Sequence, residues 1–354
     1  MSIYFLYKNT WFSQNDIIDK KKEKKMKLFK GLLSLAVAAS LSLAADYVIK
    51  FSHVVSPNTP KGKAADFFAK RVQELSHGKI KVEVYPNAQL CGDKVVLRKM
   101  KFNAVQMAAP SFSKFTGLVP QLALFDLPFL FNDAEHLHKV LDGEVGKTLL
   151  NMVNKKGYVA LAYWDNGFKQ LSDSKRALIK PEDAKGLKFR VMSSKVLIEQ
   201  FKALGAIPVV MPFSEVYSAL QQGVVDGQEN TISNIYTKKF YEVQKYMTLS
   251  NHGYLGYMVV MSKKFWNRLP ADMKKVIKQA IKEATAKERI WAKELNDSQF
   301  EKIKEYADKT GKLQIIKLTK EQREAWVKKL RTIYPKFYGT IGKDLIQKAI
   351  KAGE

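Results

Sequence analysis

The chain has 354 residues, of which 46% are hydrophobic, 11% aromatic and 27% charged. This composition excludes a chain that is disordered throughout, and the length allows two domains of ordinary size. The single cysteine, Cys91, excludes a disulfide framework and an all-thiolate metal site. The net charge of +26 calls for an anionic partner or anionic surroundings, but it does not say which.

The first 45 residues have the pattern of an export signal. Residues 26–30 are short and basic, residues 31–39 form an apolar run, and residues 42–44 supply the small side chains that a signal peptidase reads. We therefore predict a signal peptide over residues 26–45, with cleavage after Ala44, and a periplasmic location. Residues 1–25 are interpreted as an extension upstream of the true start, and an unusually long basic leader is the alternative.

The segment after the signal alternates between predicted strands and helices. They are a strand over 46–53, a helix from the turn at 57–60 to residue 75, a strand over 79–85, a helix over 93–101 and a strand over 104–109. This order is typical of a parallel or mixed sheet with helices on its faces.

The same order recurs later in the chain. We predict a strand over 188–191, a helix over 195–204, a strand over 208–210, a helix over 213–222, a strand over 224–228, a long helix over 270–306, a strand over 313–318 and helices from residue 319. The recurrence indicates two similar α/β lobes rather than one large sheet. No stretch after residue 45 approaches the roughly 18 consecutive apolar residues of a membrane helix.

Three short motifs raise an enzymatic alternative. Ser111–Lys114, Ser172–Ser174 and Lys309–Gly311 follow the order found in penicillin-binding proteins. That serine acyl-transferase chemistry needs the serine at the start of a buried helix and the Lys-Thr-Gly triplet on a strand. Gly117 and Pro120 disfavour the helix, and the third motif has the pattern of a turn. We therefore expect no enzyme of this type.

Metal, cofactor and nucleic-acid sites are not expected either. The five histidines are scattered, and His136 and His138 lie two residues apart on a predicted helix, where their side chains point in different directions. There is no glycine-rich phosphate loop and no nucleophile elbow. The lysines lie mostly singly on the solvent faces of predicted helices, which favours a solvated surface over nucleic-acid binding.

The most informative segment contains Arg190, which opposes Phe189 on an alternating strand. Ligands of α/β sheets bind at the carboxyl ends of strands, and a guanidinium there binds a carboxylate through two parallel hydrogen bonds. An arginine on the outer surface of the strand is an equally good interpretation of Arg190 by itself. Asn230 ends another predicted strand, and Lys169 follows an aromatic strand, so they supply an amide and a second cation.

Several stretches together resemble the periplasmic solute-binding proteins of tripartite ATP-independent periplasmic (TRAP) transporters, of the dicarboxylate-binding type. These stretches are Gly186–Met192, Pro212–Leu220, Val225–Asn230 and Lys239–Lys245. Residues 51–54 and 59–62 match the family's opening, and the similarity runs from Asp46 into the C-terminal helices. The chain departs in one detail, because the family often has proline where this chain has Thr231.

The resemblance implies a periplasmic-binding-protein-like fold, with two α/β lobes joined by a hinge and a long spanning helix. Lobe I is expected over 46–167 and 256–295, and lobe II over 168–255 and 296–354. It further implies a receptor that closes on a C4-dicarboxylate (succinate, fumarate or malate), needs no cofactor and delivers its ligand to a membrane permease. A receptor for a keto, sugar or sialic acid is the alternative.

The resemblance also implies a set of ligand-binding residues. They are Arg190 for a carboxylate, Asn230 beside it, Lys169 for a second carboxylate, Phe213 as a pocket aromatic, Ser193 as a polar contact, and Ser111, Asp93 and His53 near the pocket on lobe I. Members of the sialic-acid type carry a second arginine at the position of Lys169.

Overall fold

The computed structural model describes Met26 and residues 45–354, so most of the predicted signal peptide and all of residues 1–25 lie outside the described residues. Nine strands occur in the described part: β1 Tyr47–Ser52, β2 Ile80–Tyr85, β3 Met107–Ala108, β4 Tyr158–Asp173, β5 Lys188–Val191, β6 Ile207–Val210, β7 Gly227–Thr231, β8 Tyr246–Ser262 and β9 Gln314–Lys317. No described helix is both long and apolar enough to cross a bilayer.

Eleven α-helices occupy the rest of the described fold, with short 3₁₀ turns between them. The helices are α1 Pro60–Leu75, α2 Asp93–Lys101, α3 Ala134–Asp142, α4 Glu144–Asn154, α5 Lys195–Ala203, α6 Val216–Gln221, α7 Ile232–Thr237, α8 Lys263–Arg268, α9 Ala271–Thr310, α10 Lys320–Arg331 and α11 Lys343–Lys351. The predicted strands and helices occur in the predicted order with several different bounds, but no prediction covered β8, α4, α7 or α8.

The strands form one connected sheet in the order β2-β1-β3-β8-β4-β7-β5-β6, with β9 paired to β8. The prediction of two lobes without a shared large sheet is wrong in this respect. The physical reason is that β4 has 16 residues and β8 has 17, and the two run antiparallel through both lobes. Strands β1–β3 join β8 at one end of this ribbon, and β7 joins β4 at the other.

Irregular pairing marks the middle of the β4–β8 ribbon. The register shifts between Asp165 and Gly167, where Gly167 pairs with Leu255. Gly167 has a φ of +128°, and a Cβ atom there would lie 3.0 Å from the amide nitrogen of Asn296. A residue with a side chain would be strained in this conformation. The predicted lobe boundaries at 167/168 and 255/256 fall at this irregularity, and they stay a prediction.

Helix α9 has 40 residues and is therefore about 60 Å long. Pro270 precedes its first turn, and Gly311 ends it in the left-handed conformation with a φ of +62°. Near its first third, Glu283 accepts a hydrogen bond from Arg71 of α1 at 2.6 Å. Further along, the Asn296 side chain donates to the Asn166 carbonyl of β4 at 2.7 Å. The helix therefore contacts elements along much of the sheet.

Two predictions in the second half need correction. The predicted strand over 224–228 begins only at Gly227, because Gly223, with a φ of +71°, ends the preceding helix and residues 223–226 form a turn. The predicted helix over 213–222 is a 3₁₀ turn over Phe213–Glu215 followed by the short helix α6.

The C-terminal segment also differs from its assignment to lobe II. Ile346 and Ala349 of α11 belong to the same apolar core as Leu137 and Leu149 of lobe I. His136 of α3 contacts the Ala349 carbonyl through its Nε2 atom at 2.7 Å. Residues from about 333 onward therefore pack on lobe I, because the apolar face of α11 is covered by α3 and α4.

Candidate functional site

A cavity of about 400 Å³ lies where several strands end, between the loops of the two lobes. Its polar lining comes from both lobes and consists of Asp93, Lys94, Ser111, Lys114, Arg190, Ser193, Ser214, Glu215, Asn230, Asn234 and Tyr257. The position agrees with the rule that ligands of such sheets bind beyond the carboxyl ends of the strands. Six of the eight predicted site residues line this one cavity.

Arg190 is buried at the end of β5, with 2% of its surface exposed. Its neighbours Phe189 and Val191 are completely buried in the core, and this alternation turns the guanidinium toward the cavity. Its Nε and Nη2 atoms both donate to the Met211 carbonyl, at 3.2 and 3.1 Å. The interpretation of Arg190 as an outer surface arginine is therefore wrong.

The Arg190 guanidinium remains charged in this position and has N–H groups left to donate to a ligand. It has five N–H groups, and among the described residues only the Met211 carbonyl accepts hydrogen bonds from it. Burial lowers the pKa of Arg190 to about 10, which still leaves it protonated at neutral pH. The ring of Phe213 lies 5.9 Å from the guanidinium carbon and forms one side of its surroundings.

Asn230 ends β7 beside this arginine. Its Oδ1 atom accepts hydrogen bonds from the Asn234 side chain at 2.8 Å and from the Thr231 amide at 3.2 Å. These bonds fix the orientation of the amide and leave its Nδ2 atom, a donor, for an acceptor in the cavity. Tyr257 also lines the cavity, and its hydroxyl accepts a hydrogen bond from the Asn166 side chain at 2.6 Å.

A second cation in the cavity wall is Lys114 of lobe I. Its Nζ atom donates to the Ser193 hydroxyl of lobe II at 3.1 Å, so the two lobes touch across the cavity. Burial lowers the pKa of Lys114, and the nearby Asp93 charge opposes this shift. The Ser111 hydroxyl makes only a long contact of 3.5 Å with the sulfur of Met192.

The structure places Lys169 outside this cavity wall. The Lys169 ammonium is 1% exposed and lies 2.7 Å from the Glu229 carboxylate. His252 contacts the other Glu229 oxygen at 2.8 Å. Burial alone raises the pKa of Glu229, but Lys169 and His252 outweigh it and lower the pKa to about 2. The Lys169 charge is thus already neutralised, which argues against its predicted role toward a second carboxylate.

His53 is the other predicted residue that does not line the cavity. It is 1% exposed and lies directly before Val54 and Val55, which do line the wall. Burial, together with the charge of Lys61, lowers the pKa of His53 to about 3. The imidazole is therefore neutral near pH 7 and sits behind the wall rather than in it.

The three motifs of the acyl-transferase hypothesis do not meet at one place. Lys309 and Thr310 form the end of helix α9 rather than a strand. Ser172 is buried in β4, where its hydroxyl bonds with Gln244 and Gln228. Only Ser111 and Lys114 lie at the cavity, and they belong to a short 3₁₀ turn and its preceding residue.

Neither predicted helical histidine has the surroundings of a metal ligand. His136 packs in the lobe I core, and His138 contacts the Asp165 carboxylate at 2.6 Å. Among residues 45–354, no group of three or more potential metal ligands comes together. His136 is buried, and its ring packs against Phe131.

Sequence reasoning missed three members of the cavity wall that bear directly on its chemistry: Lys114, Asn234 and Tyr257. Lys114 was considered only as part of the acyl-transferase motif. The signal that identifies it is its place a few residues after β3, because β3 and β5 run in opposite directions and their carboxyl ends point toward each other from the two lobes. Tyr257 gave no such signal, because no strand was predicted over residues 246–262.

The family model described as bacterial extracellular solute-binding protein, family 7 (DctP) matches residues 51–340. The C4-dicarboxylate-binding periplasmic protein DctP of Rhodobacter capsulatus is 48% identical over 324 residues, which cover 91% of this chain and 96% of that protein. Because this relative is named a periplasmic protein, the predicted location is confirmed.

Two solved structures are similar in fold as well. A TRAP periplasmic solute-binding protein from Sulfurospirillum deleyianum with bound succinate is 60% identical, with a TM-score of 0.85 over 86% of this chain and 99% of that chain. The sugar acid binding protein DctPAm from Advenella mimigardefordensis, in complex with galactonate, is 36% identical, with a TM-score of 0.83 over 86% and 97%. The predicted two-lobe fold and the family resemblance are therefore confirmed, and the chain belongs to family 7 of the bacterial extracellular solute-binding proteins.

Proposed function

We propose that this protein is the periplasmic receptor of a TRAP transporter and binds a C4-dicarboxylate such as succinate in the cavity between its lobes. The observation that carries the proposal is the buried Arg190, whose guanidinium faces the cavity with N–H groups to spare. The names of the similar R. capsulatus and S. deleyianum proteins support the choice of a C4-dicarboxylate.

In this proposal Arg190 binds one carboxylate through two parallel hydrogen bonds. Asn230 donates to the same carboxylate through its free Nδ2 atom, and the Phe213 ring keeps water away from the guanidinium. A hydrogen bond to a charged group contributes roughly 1.5–3 kcal/mol. Micromolar affinity requires about −8 kcal/mol, so a few such bonds suffice after the costs of association and closure.

The second carboxylate is assigned to Lys114 rather than to Lys169. Lys114 lines the cavity and its only hydrogen-bond partner among the described residues is the neutral Ser193 hydroxyl, whereas Lys169 is paired with Glu229. An ammonium with a neutral partner gains more from an incoming anion than one that already has a carboxylate. Because Lys114 and Arg190 lie on different lobes, one dianion pulls the lobes together.

Closure of the cleft then carries the signal to the membrane. A ligand that contacts both lobes shifts the population toward the closed form by its extra affinity for that form. The closed form presents a surface made by both lobes to the permease, which carries the ligand onward. The receptor itself catalyses no reaction.

A sugar acid is the second candidate ligand. A cavity of about 400 Å³ exceeds what succinate needs, and the carboxylates of Asp93 and Glu215 in its wall accept hydrogen bonds from hydroxyl groups. The galactonate complex of the similar A. mimigardefordensis protein supports this alternative.

Isothermal titration calorimetry with succinate, L-malate and galactonate tests the proposal. We expect succinate or malate to bind the wild type most tightly, and Arg190→Ala to weaken binding at least 100-fold. Arg176→Ala is the matched control, because Arg176 is an exposed arginine of the same lobe whose guanidinium bonds with the Lys185 carbonyl. Unchanged succinate affinity in Arg190→Ala contradicts the proposal, and tighter binding of galactonate favours the second candidate.

A further inference from the structure

A hydrogen bond between Lys238 and Asn87 links the two lobes beside the cavity. The Lys238 ammonium of lobe II lies 3.0 Å from the side-chain oxygen of Asn87 in lobe I. Neither residue is part of the cavity wall, although Ala88 and Phe213 beside them are. This exposed pair is a second contact between the lobes, in addition to the part-buried Lys114–Ser193 contact.

The Asn87 side of this contact is held in an uncommon backbone conformation. Asn87 and Ala88 have φ angles of 53° and 63°, two successive left-handed residues without a glycine. Alanine rarely adopts this conformation, so the surroundings must impose it. The amides of Asn87 and Ala88 donate to the carbonyls of Val55 and His53, which fastens the loop to the end of β1. Strained residues of this kind cluster at clamps and switch regions.

Lys238 is also held in position for this contact by its neighbours. Lys238 follows the last residue of α7, and its amide donates to the Asn234 carbonyl. The backbone from which the Lys238 side chain extends is therefore fixed. The ring of Phe213 lies 5.7 Å from the Lys238 ammonium and 5.9 Å from the Arg190 guanidinium. One aromatic ring thus touches the cation assigned to the ligand and the cation at the cleft mouth.

We propose that Lys238 and Asn87 form a latch that holds the closed lobes together and sets how long the ligand stays bound. They are positioning residues, since they act on the cleft and not on the ligand. The contact exists only when the lobes approach, so its loss speeds opening while leaving the approach of the ligand unchanged. This inference rests on the proposed function for its ligand, but the contact itself does not depend on which acid binds.

Stopped-flow fluorescence with succinate compares the wild type with Lys238→Met, Asn87→Gly, which removes the side chain and tolerates the left-handed conformation, and the double variant. Lys239→Met is the matched control, because the adjacent Lys239 is exposed and pairs with Glu242 of its own lobe at 3.1 Å. Each latch variant is expected to dissociate about threefold to tenfold faster than the control, as loss of one partly exposed charged hydrogen bond allows. The double variant is expected to match Lys238→Met.

Equal dissociation rates in Lys238→Met and Lys239→Met overturn the latch, as does a double variant whose effect is the product of the single effects. A second measurement needs no ligand. Asn87→Cys and Lys238→Cys, combined in a Cys91→Ser background, are expected to cross-link with a short bifunctional maleimide. Absence of the cross-link also overturns the latch. Failure of the wild type to bind succinate, with the cross-link intact, contradicts only the proposed C4-dicarboxylate function.

Discussion

Arg190 and Lys169 are two buried cations of lobe II that differ in their hydrogen-bond partners. Their exposures are 2% and 1%, so burial does not distinguish them. Arg190 donates only to a neutral carbonyl, whereas Lys169 lies against the Glu229 carboxylate. A buried charge is stabilised within a protein only when it is paired or solvated by hydrogen bonds.

The difference is that the Arg190 guanidinium has no carboxylate partner among the described residues, whereas the Lys169 ammonium is already paired with a carboxylate. Lys169 forms a buried ion pair between β4 and β7, and Arg190 keeps N–H groups directed into a cavity. The number of unused donors facing the cavity, rather than charge or burial, marks the residue that binds an acid. Four experiments test whether the two residues differ in this way.

The largest expected effect is on the free energy of unfolding in Lys169→Met. Removing one partner of a buried ion pair leaves Glu229 with only its His252 contact and costs about 3–5 kcal/mol. Urea unfolding at pH 7 measures the loss. The double variant Lys169→Met with Glu229→Leu is expected to recover part of it, because no unpaired charge remains. An unchanged unfolding midpoint in the single variant contradicts a structural role for Lys169.

Arg190→Lys is expected to weaken succinate binding about 10-fold to 100-fold, since it keeps the charge but loses the planar pair of donors. Calorimetry measures the affinity. The unfolding midpoint of this variant is expected to change little, in contrast to Lys169→Met. Full affinity with the lysine would show that a point charge suffices and that the forked geometry has no part in binding.

Lys114→Met is expected to weaken succinate about tenfold while leaving a monocarboxylate such as butyrate nearly unaffected. The reason is that only the dianion has a second carboxylate for this ammonium. Competition titrations of both acids measure the ratio, and Lys155→Met, which changes an exposed lysine, serves as the control. Equal losses for the two acids would remove Lys114 from the proposed second contact.

The smallest effect concerns His53, a buried group that could become charged in acid. Its pKa is lowered from 6.5 to about 3 in the folded protein, so between these values only the unfolded chain binds the proton. Stability therefore falls as the pH falls, by about 1 kcal/mol between pH 6 and pH 5. Urea unfolding at both pH values measures the slope, and His53→Gln is expected to reduce it. The same slope in both proteins refutes a neutral buried His53.

Much of the fold could be predicted because local patterns agree with it. The alternation in residues 188–191 and the helical period after Pro270 depend on nearby residues only. The lengths of β4 and β8 could not be predicted, since their partners lie about 90 residues apart and their pairing contains register shifts. The docking of α11 on lobe I depends equally on distant partners, namely α3 and α4.

The candidate site was predicted where a residue's role follows from its place at a strand end. Arg190, Asn230 and Ser111 meet this condition and line one cavity. Lys169 does not meet this condition, because Glu229 of the neighbouring strand lies diagonally across from it and forms an ion pair with it. The sequence alone does not show this pairing. Lys114 carries the same charge on a turn, and only the folded chain shows which lysine is free to meet an anion.

A crystal structure of the protein grown with succinate would show whether Arg190 binds the carboxylate. We expect one carboxylate to accept two hydrogen bonds from the Arg190 guanidinium, with donor–acceptor distances of about 2.7–2.9 Å, and Lys169 to remain on Glu229. Succinate bound away from Arg190, or a guanidinium still bonded only to the Met211 carbonyl, would contradict the account.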